Sequence, residues 1–291
     1  MGCTRTPSTS ATTSAPSSAV AFGPLVDAGW LREHLTDDDL RVVDFRWYLQ
    51  GRNGRDEYER GHIPGAVFVD LESVTGQEGG GRHPLPDGRR FQAEMRRAGV
   101  SAATRVVVYD DQGGAVAARL WFLLGHFGHR SQAVLDGGIG AWTGPLESSS
   151  PPVAAGDFTA AEPERGRVLD FEAVRDLRGV PLIDARVSPR YRGETEPIDP
   201  KAGHVPGALN RPYSENVRAD GRFKPPAELR RELEELGAGD GAVFYCGSGV
   251  NATHHVLAMA IAGLPNARLY AGSWSDWSSR ELPVATGPEP G

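Results

Sequence analysis

Two cysteines in 291 residues leave no room for a disulfide framework: Cys3 lies in the N-terminal tail, so Cys246 is alone in the body of the chain. A disulfide-stapled secreted scaffold is excluded, and a reducing, cytoplasmic setting is expected. No apolar run approaches the roughly 20 residues needed to cross a bilayer, which argues against a membrane-embedded protein. Lysine occurs only at positions 201 and 224, and the net charge of -7 argues against the basic surface that nucleic acid requires. The eight histidines show no zinc-site spacing; His254 and His255, adjacent in sequence, are expected on different sides of a helix. Neither a metal nor any other cofactor is expected. Residues 1–21 are rich in Ser, Thr, Ala and Pro and poor in large apolar side chains, so they read as a disordered tail. Met1 to Thr6 formally fits a myristoylation pattern, and the tail lacks the apolar core of a secretory signal.

What the chain does contain, it contains twice. Val42-Val43-Asp44-Phe45-Arg46 returns as Leu182-Ile183-Asp184-Ala185-Arg186, and Gly61-His62-Ile63-Pro64-Gly65-Ala66 as Gly203-His204-Val205-Pro206-Gly207-Ala208. Leu135 to Trp142 returns as Leu269 to Trp277. A period of roughly 140 residues means a duplicated domain, not a solenoid. The predicted strands lie near 40–45, 105–109 and 133–135, then near 181–184, 242–245 and 268–270. Helices are predicted near 27–35, 91–98 and 115–127, then near 170–177, 227–236 and 252–262. This alternation implies an α/β fold, each half a mostly parallel sheet flanked by helices, with ligands at the carboxyl ends of the strands. The expected organisation is a first domain over 22–146, a Ser/Pro/Ala-rich linker over 147–166 and a second domain over 167–291.

Cys246 sits at one of those carboxyl ends. The buried-type strand Ala242-Val243-Phe244-Tyr245 runs straight into Cys246-Gly247-Ser248-Gly249-Val250-Asn251 and then a helical stretch. Small residues let such a loop curl until backbone N–H groups point at the sulfur, and the helix N-terminus adds partial positive charge. Thiolate is the reactive form. A buried cysteine acting as a small hydrophobe is the bland alternative, but it needs no Gly-x-Gly loop behind it. In the first copy the matching strand ends in Asp110, so only one copy carries the thiol.

From about Leu25 to Thr286 the chain resembles tandem-domain rhodanese-type sulfurtransferases, on the strength of Cys246 to Val250, the paired His-Pro-Gly-Ala segments and the Gly272-Ser273-Trp274 neighbourhood. Cys-Gly-Ser-Gly-Val is similar to the loop of the 3-mercaptopyruvate branch; thiosulfate-specialised relatives usually carry basic residues directly after the cysteine. The resemblance implies two rhodanese-like domains and transfer of a sulfane sulfur through a Cys246 persulfide. The loop N–H groups of Gly247, Ser248, Gly249, Val250 and Asn251 would hold the anion. It implies a small anionic donor, mercaptopyruvate or thiosulfate, and an acceptor such as thioredoxin, a low-molecular-weight thiol or cyanide. It also implies that Ser248 works with a first-domain histidine and aspartate, matched here to His62 and Asn53, with Asp56 nearby as a substitute for the missing carboxylate. His204, the twin of His62, supports a structural reading of that histidine alongside the catalytic one.

Arg186 and Arg190 stand where relatives place donor-binding arginines, and a guanidinium can take a carboxylate bidentately. Arg186 has a twin in Arg46, which favours a structural ion pair; Arg190 has none, since Tyr48 follows Trp47 in the first half. Asn251 replaces a usual threonine and is expected to cap the next helix. A phosphatase of related fold would need an arginine where Ala252 stands. A thiosulfate-specific enzyme and a non-catalytic rhodanese-like module are the remaining alternatives.

Overall fold

The computed structural model describes Met1 and residues 22–150, 152–264 and 266–291; the tail calls, apart from Met1, and Cys3 lie outside the described residues. The first half builds a five-stranded sheet from β1 (Leu25–Val26), β2 (Leu40–Asp44), β3 (Val67–Phe68), β4 (Arg105–Tyr109) and β5 (Gln132–Leu135), in the order β1-β5-β4-β2-β3. The second repeats it with β6 (Val168–Leu169), β7 (Leu182–Asp184), β8 (Leu209–Asn210), β9 (Val243–Tyr245) and β10 (Arg268–Tyr270), ordered β6-β10-β9-β7-β8. All pairings within these sheets are parallel. Helices α1 (Ala28–His34), α2 (Gly54–Arg60), α3 (Gly88–Arg97) and α4 (Ala117–His126) belong to the first half. To the second belong α5 (Phe171–Arg175), α6 (Ser188–Tyr191), α7 (Pro226–Glu235), α8 (Ala252–Ile261) and α9 (Ser273–Trp277).

The central strands β4, from Val106 to Tyr109, and β9, from Val243 to Tyr245, are runs buried on both faces, the pattern that parallel sheets demand. Outer strands β1, β3, β6 and β8 are only two residues long. That is too short for a periodicity signal, and they were absent from the sequence expectation. Helix α4 buries every residue from Ala117 to Leu124, and α8 every residue from Ala252 to Met259. A helix apolar on all sides must be covered on all sides. These two pack on each other across the domain boundary, and one apolar cluster runs through both, joining Leu120 and Leu124 to Val256 and Leu257. Each fully buried Leu or Val side chain contributes about 1.5–3 kcal/mol relative to exposure, so the halves are held as one body. The 147–166 segment is not a free spacer. Glu147 bridges antiparallel to His62, Gly156 N–H donates to Arg96 O (2.8 Å), and Phe158 is buried against Phe91.

The central strands β4 and β9 end, respectively, in Asp110 and Cys246. Asp110 is fully buried, and its carboxylate accepts the N–H groups of Gln112, Gly114, Val116 and Ala117 at 2.8–2.9 Å. In the first half, therefore, the anion cradle is filled by the chain's own carboxylate.

Candidate active site

Cys246 is 2% exposed at the floor of a cavity of about 250 Å³ between the two halves. Its peptide is pinned on both sides. The Cys246 N–H donates to Ser273 Oγ (3.1 Å), whose hydroxyl donates to Tyr270 O (2.9 Å), and Trp274 N–H donates to Cys246 O (2.9 Å). Ser273 holds a left-handed φ of 54° that Gly138 takes at the same turn of the first half (φ 58°). A non-glycine residue there costs about 1–2 kcal/mol, and in return its hydroxyl fixes the Cys246 backbone. Gly249 has φ 81°, and a Cβ would collide with Ala271 O, so only glycine fits. Its N–H donates to Cys246 Sγ at 3.2 Å. Of the five loop amides expected around the sulfur, Gly249 supplies the hydrogen bond; Gly247, Ser248, Val250 and Asn251 line the cavity. Asn251 makes no side-chain cap; its Nδ2 instead donates to Ala115 O across the domain boundary (3.3 Å).

The histidine beside Ser248 is His83, not His62. His83 Nδ1 lies 2.8 Å from Ser248 Oγ, its Nε2 faces Glu72 Oε1 at 3.8 Å, and Trp47 packs edge-on against the ring. Burial, reinforced by Arg119 and Arg82, pushes the imidazole down to about 4, so it is neutral near pH 7. His62 stacks on Tyr58 (3.8 Å) and donates from Nδ1 to Tyr58 O (2.7 Å). His204 does the same with Tyr191 at 3.8 and 2.8 Å. The paired histidines therefore fix the His-Pro-Gly turn in each half, and the matching of His62 to Ser248 is corrected. Asn53 is the N-cap of α2, accepting from Arg55 and Asp56 N–H, so neither it nor Asp56 belongs to the site. A sequence signal for His83 existed: Gly81-Arg82-His83 recurs as Gly221-Arg222-Phe223, so this histidine lacks a twin.

Gly80 and Gly81 bring Arg82 and His83 into place, since a Cβ on either would strike Asp276 or Gly272 of the second half. Arg82 N–H then donates to Ser275 Oγ (3.0 Å). The Arg82 guanidinium pairs with Asp199, and Arg190 pairs with Glu196 (2.7 Å) and Asp199 (3.1 Å). Both guanidinium groups also turn a nitrogen toward the space beside Gly247. Arg186 has its donors committed to Asp184 (2.6 Å), Glu196 (3.3 Å) and Gly203 O (2.7 Å). Arg46 is bound to Asp44 and Gly61 O in the same way, so the ion pair is a feature of the fold although Arg186 touches the cavity wall. The Pro197–Lys201 stretch contributes Ile198 to the wall and Asp199 to the ion pairs.

His254 and His255 do not diverge as expected. Their Nδ1 atoms both meet Asn216 Nδ2, at 3.1 and 3.0 Å, while Nε2 of His254 reaches Gly113 O (3.0 Å) and that of His255 reaches Arg211 O (2.8 Å). Among the described residues no group of three or more His, Cys, Asp or Glu could hold a metal ion, and no helix is long and apolar enough to cross a membrane.

Two copies of one five-stranded parallel-sheet domain, the second of which carries a buried thiol just past the carboxyl end of its central strand where the first carries Asp110, define a duplicated α/β protein with one thiol site. The chain belongs to the rhodanese family: the rhodanese-like domain matches residues 27–145 and again 170–280. It is 42% identical to a Pseudomonas aeruginosa protein provisionally named 3-mercaptopyruvate sulfurtransferase, over 90% of this chain and 98% of that one. A Mycobacterium tuberculosis protein provisionally named thiosulfate sulfurtransferase SseB is 41% identical over 83% of this chain and 89% of its own. The crystal structure of SseA from Escherichia coli, described among 3-mercaptopyruvate sulfurtransferases, superposes with a TM-score of 0.78 at 34% identity, over 87% of this chain and 99% of that one.

Proposed function

We propose that this sulfurtransferase takes its sulfur from 3-mercaptopyruvate, carries it as a Cys246 persulfide, and passes it to a thiol or to cyanide. The observation that supports this donor is the Ser248–His83 pair beside the thiol (2.8 Å). Cys246 thiolate attacks the donor sulfur; the S–C bond breaks and its electron pair leaves on the enolate of pyruvate. The proton that was on the donor thiol must reach that enolate carbon, leaving Cys–S–S⁻ and pyruvate. Neutral His83 accepts the Ser248 hydroxyl proton, so Ser248 Oγ turns lone pairs toward the cavity, the polarity required to relay the donor's proton. Thiosulfate, whose leaving group is sulfite, needs no such relay. Arg82 and Arg190, both facing the space beside Gly247, are the groups to take the donor's carboxylate. An acceptor thiolate then attacks the outer sulfur and Cys246 returns as thiolate, a ping-pong cycle. The acceptor is a low-molecular-weight thiol, a thioredoxin-type thiol or cyanide, in the cytoplasm; the cavity volume of about 250 Å³ suits a small donor.

The two guanidinium groups beside Gly247 support a second reading, since they would also suit the thiosulfate dianion. Steady-state kinetics with both donors at equal acceptor concentration decide between them. We expect the higher kcat/KM with mercaptopyruvate; the reverse order overturns the donor assignment and leaves the sulfurtransferase class standing.

A further inference from the structure

The pocket arginines are all paired with acids: Arg82 with Asp199, Arg186 with Asp184 and Glu196, and Arg190 with Glu196 and Asp199. Arg119 is different. It projects from α4 of the thiol-free half, is 0% exposed, and makes no salt bridge to any described carboxylate. Its guanidinium donates to Gly249 O (3.2 Å) in the second half and to His83 O (2.8 Å) in the first, and its Nε has no partner. Burial draws the group down to about 10, and the acid whose charge acts on it is Cys246. Burying a cation without an anion is costly, and Arg119 has only carbonyl oxygens as partners.

The duplication supplies an internal control. Gly113 O, the first-half counterpart of Gly249 O, is also held by a side chain from the opposite domain, namely His254 Nε2 (3.0 Å). Burial brings that imidazole down to about 4, so the holder there is neutral. The neutral clasp serves the loop whose cradle already contains the Asp110 carboxylate; the cationic clasp serves the loop whose cradle contains a thiol.

We infer that Arg119 is a positioning residue for sulfur transfer: it supplies the counter-charge for the Cys246 thiolate and persulfide. By bridging Gly249 O and His83 O it also aims the Gly249 amide at the sulfur and the His83 ring at Ser248. The catalytic half thus borrows its cation from the half that lost the thiol. This assignment rests on the sulfurtransferase reading above.

Two variants separate the charge from the bridge. Arg119→Met removes both. Alkylation of Cys246 by iodoacetamide at pH 7 should slow at least about tenfold, with the deficit shrinking as pH rises, because thiolate is the reacting form. Arg119→Lys keeps a charge, but one nitrogen cannot span both carbonyls. Alkylation should remain within about threefold of the parent while kcat with mercaptopyruvate falls about tenfold at similar KM. An Arg119→Met protein that alkylates at the parental rate across pH 6–9, or an Arg119→Lys protein with unchanged kcat, overturns the inference. If the methionine variant fails to fold, the kcat of the lysine variant decides alone. Mass spectrometry of the parent protein after donor treatment keeps the two readings apart. Absence of the one-sulfur adduct on Cys246, about 32 Da, would sink the sulfurtransferase reading, whereas its presence alongside unaffected variants would sink only the role of Arg119.

Discussion

Acid should loosen this protein at its domain boundary, and the His254–Asn216–His255 network sets the size of the effect. Both Nε2 atoms face carbonyl oxygens, Gly113 O and Arg211 O, so both must carry a proton. Both Nδ1 atoms must then accept, and the single Asn216 amide gives one hydrogen to each. Protonating either ring would set N–H against N–H in a site with no water-exposed face. Burial, as the leading cause, lowers His254 to about 4 and His255 to about 3. The unfolded chain takes up these protons near pH 6.5, so in the window from 6.5 down to 4 it binds more protons than the folded state. Stability is accordingly complete above pH 6.5 and falls as pH falls. Each ring then costs about 1.4 kcal/mol per pH unit, about 2 kcal/mol by pH 5, and the pair about 4 kcal/mol. That is a large share of a typical 5–15 kcal/mol.

Urea unfolding followed by tryptophan fluorescence at pH 7, 6 and 5 measures the slope. Replacing one ring by an amide that can still donate, His254→Gln, should remove one titrating group and flatten the slope by about 1.4 kcal/mol per pH unit. Equal slopes in parent and variant, or stability that rises on acidification, would refute the assignment of neutral, Nε2-protonated rings.

Asp110→Ala strips the acceptor from four buried N–H groups. At about 1–3 kcal/mol for each unsatisfied donor, less what water entry recovers, roughly 4 kcal/mol is expected, and calorimetry should show Tm lower by about 10 °C. Turnover per folded molecule should stay within about threefold of the parent, because this carboxylate makes no contact with Cys246. The two first-domain histidines should separate cleanly in kinetics. His83→Gln should lower kcat with mercaptopyruvate by about a hundredfold, the usual scale for a lost proton relay, whereas His62→Gln should leave kcat within about twofold and lower Tm. An inverted pair of results would restore His62 to the site.

How far the chain could be read depended on whether a residue's role was local. Asp44, Arg46 and His62 have twins in Asp184, Arg186 and His204, and a role that appears in both copies is a role in the fold; the structure places all six in equivalent contacts. The strand-to-loop junction at Cys246 was equally legible, because Gly249 is required by its own φ and by the adjacent Ala271 carbonyl. What escaped were side chains whose partners lie in the other half. Arg119 reads as one polar interruption in an apolar helix, and only docking of α4 on α8 reveals that it ends at Gly249. Arg82 and His83 sit on an irregular stretch where periodicity carries no information, and glycine packing against the second half delivers them to the thiol. His83, like Arg190, has no twin: Phe223 stands in its place beyond the His-Pro-Gly segment. In a duplicated chain, then, sequence identity between the copies marks the scaffold. The departures gather at the site proposed for the chemistry: three of them, Cys246 for Asp110, His83 against Phe223 and Ser273 for Gly138, lie at the cavity or at the turn that supports it.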